Sequence, residues 1–316
     1  MGKISVQNLL NLDQDFDLTD TALETAEIDL ILHEDASAQD KIDALPQENI
    51  PKRVKTGQVW QLGEHLIACA DALLKTSYER LLGQEKASIV ASDSPFNLNI
   101  LDICGNGKTK HKNFAMGGGE MSSEQFTNFL KTVFKNVSAF STDGSLQYWF
   151  MDWRHCKEII TAGESVFSQL KNIAVWNKLS GGMGSLYRSQ HELVFIYKNG
   201  TASHTNNIEL GVHGRYRTNV WDYPGIFINN HVNKENIKLH PTVKPVGLLA
   251  DILLDASKRG DIVLDPFGGS GSTLLAAERT GRKARLLEIE PHYCDVTIYR
   301  WEKMTKQKAK LLKEEK

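Results

Sequence analysis

Two hydrophobic periods alternate along this chain. From Thr56 the stretch "QVWQLGEHLIACAD" alternates every second residue across a polar break, which predicts a short hairpin ending in a strand. "LLKTSYERLLG" changes to the helical period and stops at Gly83. "ASIVASD" is a short apolar run closed by an acid, and it predicts a buried strand ending at Asp93. "SSEQFTNFLKTVFKNVSAF" opens with a capping signature and continues with helical spacing. "SLQYWFMD" predicts a strand, "RHCKEIITAGESVF" a helix and "NIAVWNK" another strand. Strand and helix patterns in alternation predict an α/β fold with a mostly parallel sheet.

Residues 179–240 break that rhythm. They are rich in Arg, Asn, His, Tyr and Gly, and they predict an insertion into the α/β domain. The alternation then resumes with helix "PVGLLADILLDAS", strand "DIVLD", helix "STLLAAERTG" and strand "KARLLEIE". A long helix running to the basic C-terminus is expected last. Residues 1–55 form an acid-rich leader of short amphipathic pieces, read as a helical arm plus linker, and the domain proper is expected over 56–316.

Charge sharpens this division. The 316 residues carry a net charge of -2, but residues 1–50 balance to -10 and the remainder to +8. A basic body suits a polyanionic partner. The four cysteines are scattered without a CxxC pair, which argues for a reducing compartment and against a zinc knuckle. His204, His213 and His231 lack ligand spacing, so no metal is expected. No apolar run approaches the ~18 residues of a membrane span, and no secretory leader is expected.

"DIVLDPFGGSGSTLLAAERTG" carries the strongest chemical signal. A strand ends at Asp265, and Pro266, Phe267, Gly268, Gly269, Ser270 and Gly271 form a loop before a helix. The glycines admit positive φ and close approach of a ligand, and the helix N-terminus offers unpaired N–H groups. The next strand ends near Glu288, where a carboxylate can accept both hydroxyls of a ribose. Strand, glycine loop, helix, strand and acid form the layout of a nucleoside-cofactor site, although a tight strand-to-helix turn shares part of it. "HPTVKP" lies before the preceding helix; Thr242 can cap that helix and Lys244 can sit near a carboxylate.

These pieces resemble one family. "DSPF", Asp93–Ser94–Pro95–Phe96, is similar to the Asp-Pro-Pro-Tyr/Phe motif of amino-group DNA methyltransferases. "DPFGGSGST" resembles their S-adenosylmethionine loop, and "HPTVKP" the motif they place before it. The order, with the catalytic motif first and a divergent middle before the cofactor loop, resembles the circularly permuted β class. "MDWRH", "GGMGSLYRSQHELVF", "HGRYRTNVWDY" and "CDVTIYRWE" are similar to methylases fused to a partition-protein-B-like domain, whose linker the leader would match.

The resemblance implies a Rossmann-like methyltransferase fold, a twisted sheet with helices on both faces, and a cytoplasmic enzyme acting on double-stranded DNA. A homodimer and a restriction partner are left open. Asp93 would accept one N–H of the exocyclic amine, the carbonyl of Ser94 or Pro95 another, and Phe96 would stack on the flipped base. Asp71 would meet the cofactor's adenine amine, and Ala72 would flank the same ring. Arg188, Arg215 and Arg217 would meet guanine edges or phosphates. Asn206, Asn207 and Asn219 would address adenine. Lys108, Lys110, His111 and Lys112 would lie in a loop closing over DNA. Ser94 replaces the usual proline, which leaves a relative with weak or no turnover open. Asp93 favours adenine-N6 transfer, with cytosine-N4 the alternative.

Overall fold

The computed structural model describes residues 50–98, 118–182, 186–212, 215–225 and 243–313. Most of the leader, the loop bearing Lys108, Lys110, His111 and Lys112, and His213, His231 and Thr242 lie outside the described residues.

Ten strands form one sheet in the order β10-β1-β2-β9-β8-β3-β4-β6-β5-β7. In chain order they are β1 (Val59–Leu62), β2 (His65–Cys69), β3 (Ala87–Asp93), β4 (Ser141–Met151), β5 (Gln169–Asn177), β6 (His191–Lys198), β7 (Val220–Asp222), β8 (Ile262–Asp265), β9 (Lys283–Glu288) and β10 (Lys310–Lys313). The helices are α1 (Lys75–Leu82), α2 (Ser123–Ala139), α3 (Cys156–Glu164), α4 (Val246–Ala256), α5 (Ser272–Thr280) and α6 (Pro291–Thr305). Strands β2, β9, β8, β3 and β4 pair in parallel, whereas β6 runs antiparallel between β4 and β5.

The period of two explains the layering. In β3, Ile89 and Ala91 join one buried cluster while Val90 between them joins the other. A strand buried on both faces needs helices on both faces. Helix α2 covers the second face with Phe126, Phe129, Leu130, Val133, Phe134 and Val137, all buried at helical spacing. It starts at Ser122, whose hydroxyl accepts from Gln125 N while the Gln125 side chain accepts from Ser122 N, a complete capping box. Helix α4 is buried nearly all round and packs on the first face beside α5.

Three expectations change. "HELVFIYK" lies within the range assigned to the insertion, yet it is β6, hydrogen-bonded on both edges inside the sheet. The C-terminal helix ends at Thr305, and the chain returns as β10, antiparallel to β1. The compact part begins before Thr56, because the backbone N–H groups of Arg53 and Val54 both donate to Asp295 Oδ1 on α6.

Strand β3 leads through α2 to β4 on one side, while its neighbour β8 leads through α5 to β9 on the other. The connections diverge between β3 and β8, and a crevice opens at the C-terminal ends of such strands. Asp93, Asp265 and Glu288 end three of the strands at that edge.

Candidate active site

Asp93 ends β3, half-buried. Its Oδ2 lies 2.6 Å from Lys244 Nζ, while its Oδ1 is buried with no hydrogen-bond partner among the described residues. Burial pushes this carboxyl up, and the Lys244 ammonium, which lowers it, is partly countered by Glu192, which raises it. The result is about 6. At neutral pH Asp93 is therefore mostly ionised, with an acceptor oxygen unused.

The segment after Asp93 is fixed by side chains. Ser94 is 2% exposed, and its hydroxyl donates to the carbonyl of Phe150 at the end of β4 (3.1 Å). Where the family's motif usually has a proline ring, this chain has an anchoring hydrogen bond. Pro95 and Phe96 are half-buried. Asn97 adopts φ 50°, a left-handed conformation that Asn tolerates. Its side chain exchanges two hydrogen bonds with the backbone of Met121, just before the α2 cap. Sequence reasoning missed Asn97.

Asp265 is a brace. Its Oδ1 accepts from Ser92 Oγ (2.6 Å) and Phe267 N (3.0 Å), and its Oδ2 from Thr273 Oγ1 (2.6 Å). One carboxylate thus ties β3 to β8 and to the first turn of α5. Pro266 is buried beside it, and Phe267 stacks on Phe129 at 6.0 Å.

The glycine loop is a cradle that side chains would fill. A Cβ on Gly268 would stand 3.0 Å from the Leu286 side chain, and one on Gly271 would stand 2.5 Å from Thr297. Gly269 and Gly271 have φ of 50° and 84°. Gly271 is the N-cap of α5 and offers no side-chain cap, so that helix start is open to an outside acceptor. Arg300 of α6 holds the loop by donating to the carbonyl and hydroxyl of Ser270 (2.7 and 3.2 Å).

Glu288 ends β9 opposite Cys69 of β2. Its Oε2 accepts from Gly269 N and its Oε1 from Glu290 N, both at 2.8 Å. Each oxygen keeps a second lone pair for a diol. Burial raises this carboxyl to about 7 against the two backbone donors, with help from the charges of Asp265 and Glu290. Asp71 follows β2, and its Oδ1 accepts from Leu73 N (2.8 Å). Ala72 is buried against the core, its carbonyl accepting from the Tyr78 hydroxyl. The cradle, the open helix start and the ribose-type acid fit a nucleoside.

Lys244 sits with Asp93. It is 4% exposed, and its Nζ lies 5.3 Å from the ring centroids of Phe96 and Phe150 and 5.8 Å from that of Trp176. It also reaches Glu192 Oε2 at 3.2 Å, and Lys178 reaches Glu192 Oε1 at 3.1 Å. Glu192 and Lys178 escaped sequence reasoning. The available signal was an acid leading into the apolar run "LVFIY". Pro245 is the N-cap of the helix beyond Lys244, and the cap expected of Thr242 falls outside the described residues.

The residues expected to read DNA have partners within the chain. Arg215 is buried, with Nε and Nη2 donating to Asp255 Oδ1 at 3.0 and 2.6 Å. Arg217 donates to Asp255 Oδ2 (3.0 Å) and lies over Trp221. Both clamp the segment before β7 onto α4. Arg188 donates to the carbonyls of Gly181 and Gly182. Asn207 donates to the carbonyls of Leu254 in the last turn of α4 and Ser257 just after it, Asn206 accepts from the amides of Ile208 and Glu209, and Asn219 donates to Ile173 O. Among the described residues no group of three or more His, Cys, Asp or Glu is arranged to hold a metal ion, and no helix is long and apolar enough to cross a membrane.

Comparison with known proteins agrees with this arrangement. A family model described as DNA methylase, N6_N4_Mtase, matches residues 87–299. DNA adenine methyltransferase YhdJ of Escherichia coli (strain K12) is 40% identical over 88 residues, 28% of this chain and 29% of that protein. The type II methyltransferase M.HpaI of Haemophilus parainfluenzae is 21% identical over 229 residues, 68% of each chain. Among solved structures, the PvuII cytosine-N4-specific DNA methyltransferase aligns with a TM-score of 0.59 at 17% identity, covering 80% of this chain and 94% of that one. A putative DNA modification methylase from Thermus thermophilus, complexed with S-adenosyl-L-methionine, aligns at 0.53 and 20% identity, covering 76% and 93%. The matched span runs from the start of β3 into α6 and takes in Asp93, the glycine loop and Glu288; the chain belongs to the N6/N4 DNA methylase family.

Proposed function

We propose that this protein transfers a methyl group from S-adenosylmethionine to the exocyclic amine of a base in double-stranded DNA, with adenine N6 as the target. The observation that carries this reading is Oδ1 of Asp93, without a hydrogen-bond partner among the described residues, at the end of a strand braced through Ser92 and Asp265 to the strand of the glycine loop. When bound, the cofactor supplies a methyl carbon on a positively charged sulfur. An exocyclic amine is a poor nucleophile because its lone pair is delocalised into the ring. Asp93 Oδ1 accepts one N–H of the amine, and a backbone carbonyl of Ser94 or Pro95 accepts the other. Together they draw the nitrogen towards tetrahedral geometry and leave its lone pair free. Phe96 holds the base plane by stacking. Glu288 and Asp71 hold the nucleoside end of the cofactor. Positioning supplies most of the acceleration, since the donor is already reactive.

Adenine is supported by the acid at position 93 and by the relative named as a DNA adenine methyltransferase. The second reading, cytosine N4, is supported by the PvuII enzyme among the structural neighbours. Incubating unmethylated DNA with protein and cofactor, hydrolysing it to nucleosides and weighing them decides between the two. N6-methyldeoxyadenosine is expected. N4-methyldeoxycytidine alone moves the assignment to cytosine, and no methylated nucleoside refutes the reading.

A further inference from the structure

The transfer just described uses one carboxylate, yet a second buried acid and two lysines stand beside it. Glu192 lies on β6, Lys244 precedes α4 and Lys178 follows β5. From the crevice outward the charges alternate: Asp93, Lys244, Glu192, Lys178. The Lys244 ammonium is boxed by Phe96, Phe150 and Trp176, and its charge is met by the two acids at 2.6 and 3.2 Å. Its grip on Asp93 Oδ2 fixes the rotation of that carboxylate, and this rotation decides where Oδ1 faces. Were Asp93 the sole acid beside a buried ammonium, the pairing would deplete its acceptor strength. Glu192 offers the ammonium a second counter-charge.

We propose that Lys244 and Glu192 are positioning residues for methyl transfer: Lys244 aims Asp93 Oδ1 at the amine, and Glu192 draws the ammonium part of the way off so that Asp93 stays a strong acceptor. The proposal rests on the reading of Asp93 as the amine's acceptor. It places Lys244 at the base and not at the cofactor, and it gives β6 a catalytic duty.

The groups facing Asp93 are Lys244, Glu192 and Asp265; those facing Glu192 are Lys244, Lys178 and Asp93. Titration of Asp93 therefore reports the arrangement. Free protein labelled with carboxyl-13C aspartate is titrated by NMR, with the Asp93→Asn difference spectrum assigning the resonance. Glu192→Gln removes a negative neighbour and leaves Lys244 to Asp93, so the Asp93 midpoint falls. Lys244→Met removes the counter-ion, so the midpoint rises. The acid limb of kcat for DNA methylation moves in the same two directions, and Glu192→Gln lowers the plateau kcat roughly tenfold while the KM for cofactor stays within about twofold. If Lys244→Met does not fold, Lys244→Arg keeps the charge and retains more activity than Lys244→Gln. A Glu192→Gln midpoint that stays put or rises overturns the proposal. A wild-type protein that methylates no DNA overturns the methyl-transfer reading itself, a different result from methylation with an unmoved limb.

Discussion

On the proposed reading, Glu288 ties nucleoside binding to pH. Its carboxyl is buried, accepts two backbone N–H groups, and is held at about 7 in the free protein. A ribose diol donates two hydrogen bonds to the ionised form, so binding favours the carboxylate and expels its proton. If the bound form is fully ionised, the apparent Kd is the intrinsic value multiplied by one plus the ratio of protonated to ionised Glu288. That factor is about 1.1 at pH 8, about 2 at pH 7 and about 11 at pH 6, a loss of roughly 1.4 kcal/mol across the range. The assay is isothermal titration calorimetry with methylthioadenosine, which keeps the ribose and has no group titrating in this window. At pH 7, buffers of different ionisation enthalpy should report about half a proton released per ligand bound. Glu288→Gln should flatten the pH dependence and weaken binding at pH 8 by about 1.5–3 kcal/mol, the worth of hydrogen bonds to a charged group. A Kd constant between pH 6 and 8, with no proton release in the wild type, would refute the reasoning.

Other outcomes follow from the same contacts. Ser94→Ala removes the bond to the Phe150 carbonyl and should cost about 1 kcal/mol in chemical denaturation, with a several-fold drop in single-turnover rate. Ser94→Pro, which restores rigidity by other means, should hold or exceed the wild-type rate in the same assay. Arg215→Ala leaves the buried Asp255 carboxylate with Arg217 alone and should destabilise the fold by about 1.5–3 kcal/mol, the worth of its charged hydrogen bonds, seen as a lowered Tm. Arg215→Ala protein that remains folded should bind DNA as the wild type does in a gel-shift titration, since the guanidinium faces α4. Gly271→Ala needs a positive φ and a Cβ 2.5 Å from Thr297, so calorimetry should show methylthioadenosine binding lost or protein yield collapsed.

Local signals carried much of this architecture. The apolar run closed by Asp93 is β3 with those ends, and the Ser122–Gln125 capping box starts α2 as its spacing implies. What escaped the sequence was pairing between distant segments. Strand β6 sits in a stretch rich in Arg, Asn and Gly, and composition hid an apolar run wedged between β4 and β5. The four residues of β10 are exposed and read equally well as the end of a basic helix. Arg215 and Arg217 looked like groups for a polyanion because composition cannot tell a surface guanidinium from a clamped one. The signal lay in their partners: Asp251 and Asp255 stand four apart on an otherwise apolar helix, a spacing that asks for cations. Lys244 was placed beside a carboxylate, but which one depends on the sheet bringing β3, β6 and the start of α4 together.

The central claim is that Asp93 Oδ1 accepts a hydrogen bond from the amine to be methylated. Its most direct test is single-turnover methylation by Asp93→Asn, a near-isosteric change, alongside wild type. The rate of N6-methyldeoxyadenosine formation should fall at least about a hundredfold, with methylthioadenosine and DNA affinities unchanged. Turnover by Asp93→Asn at the wild-type rate would contradict the account.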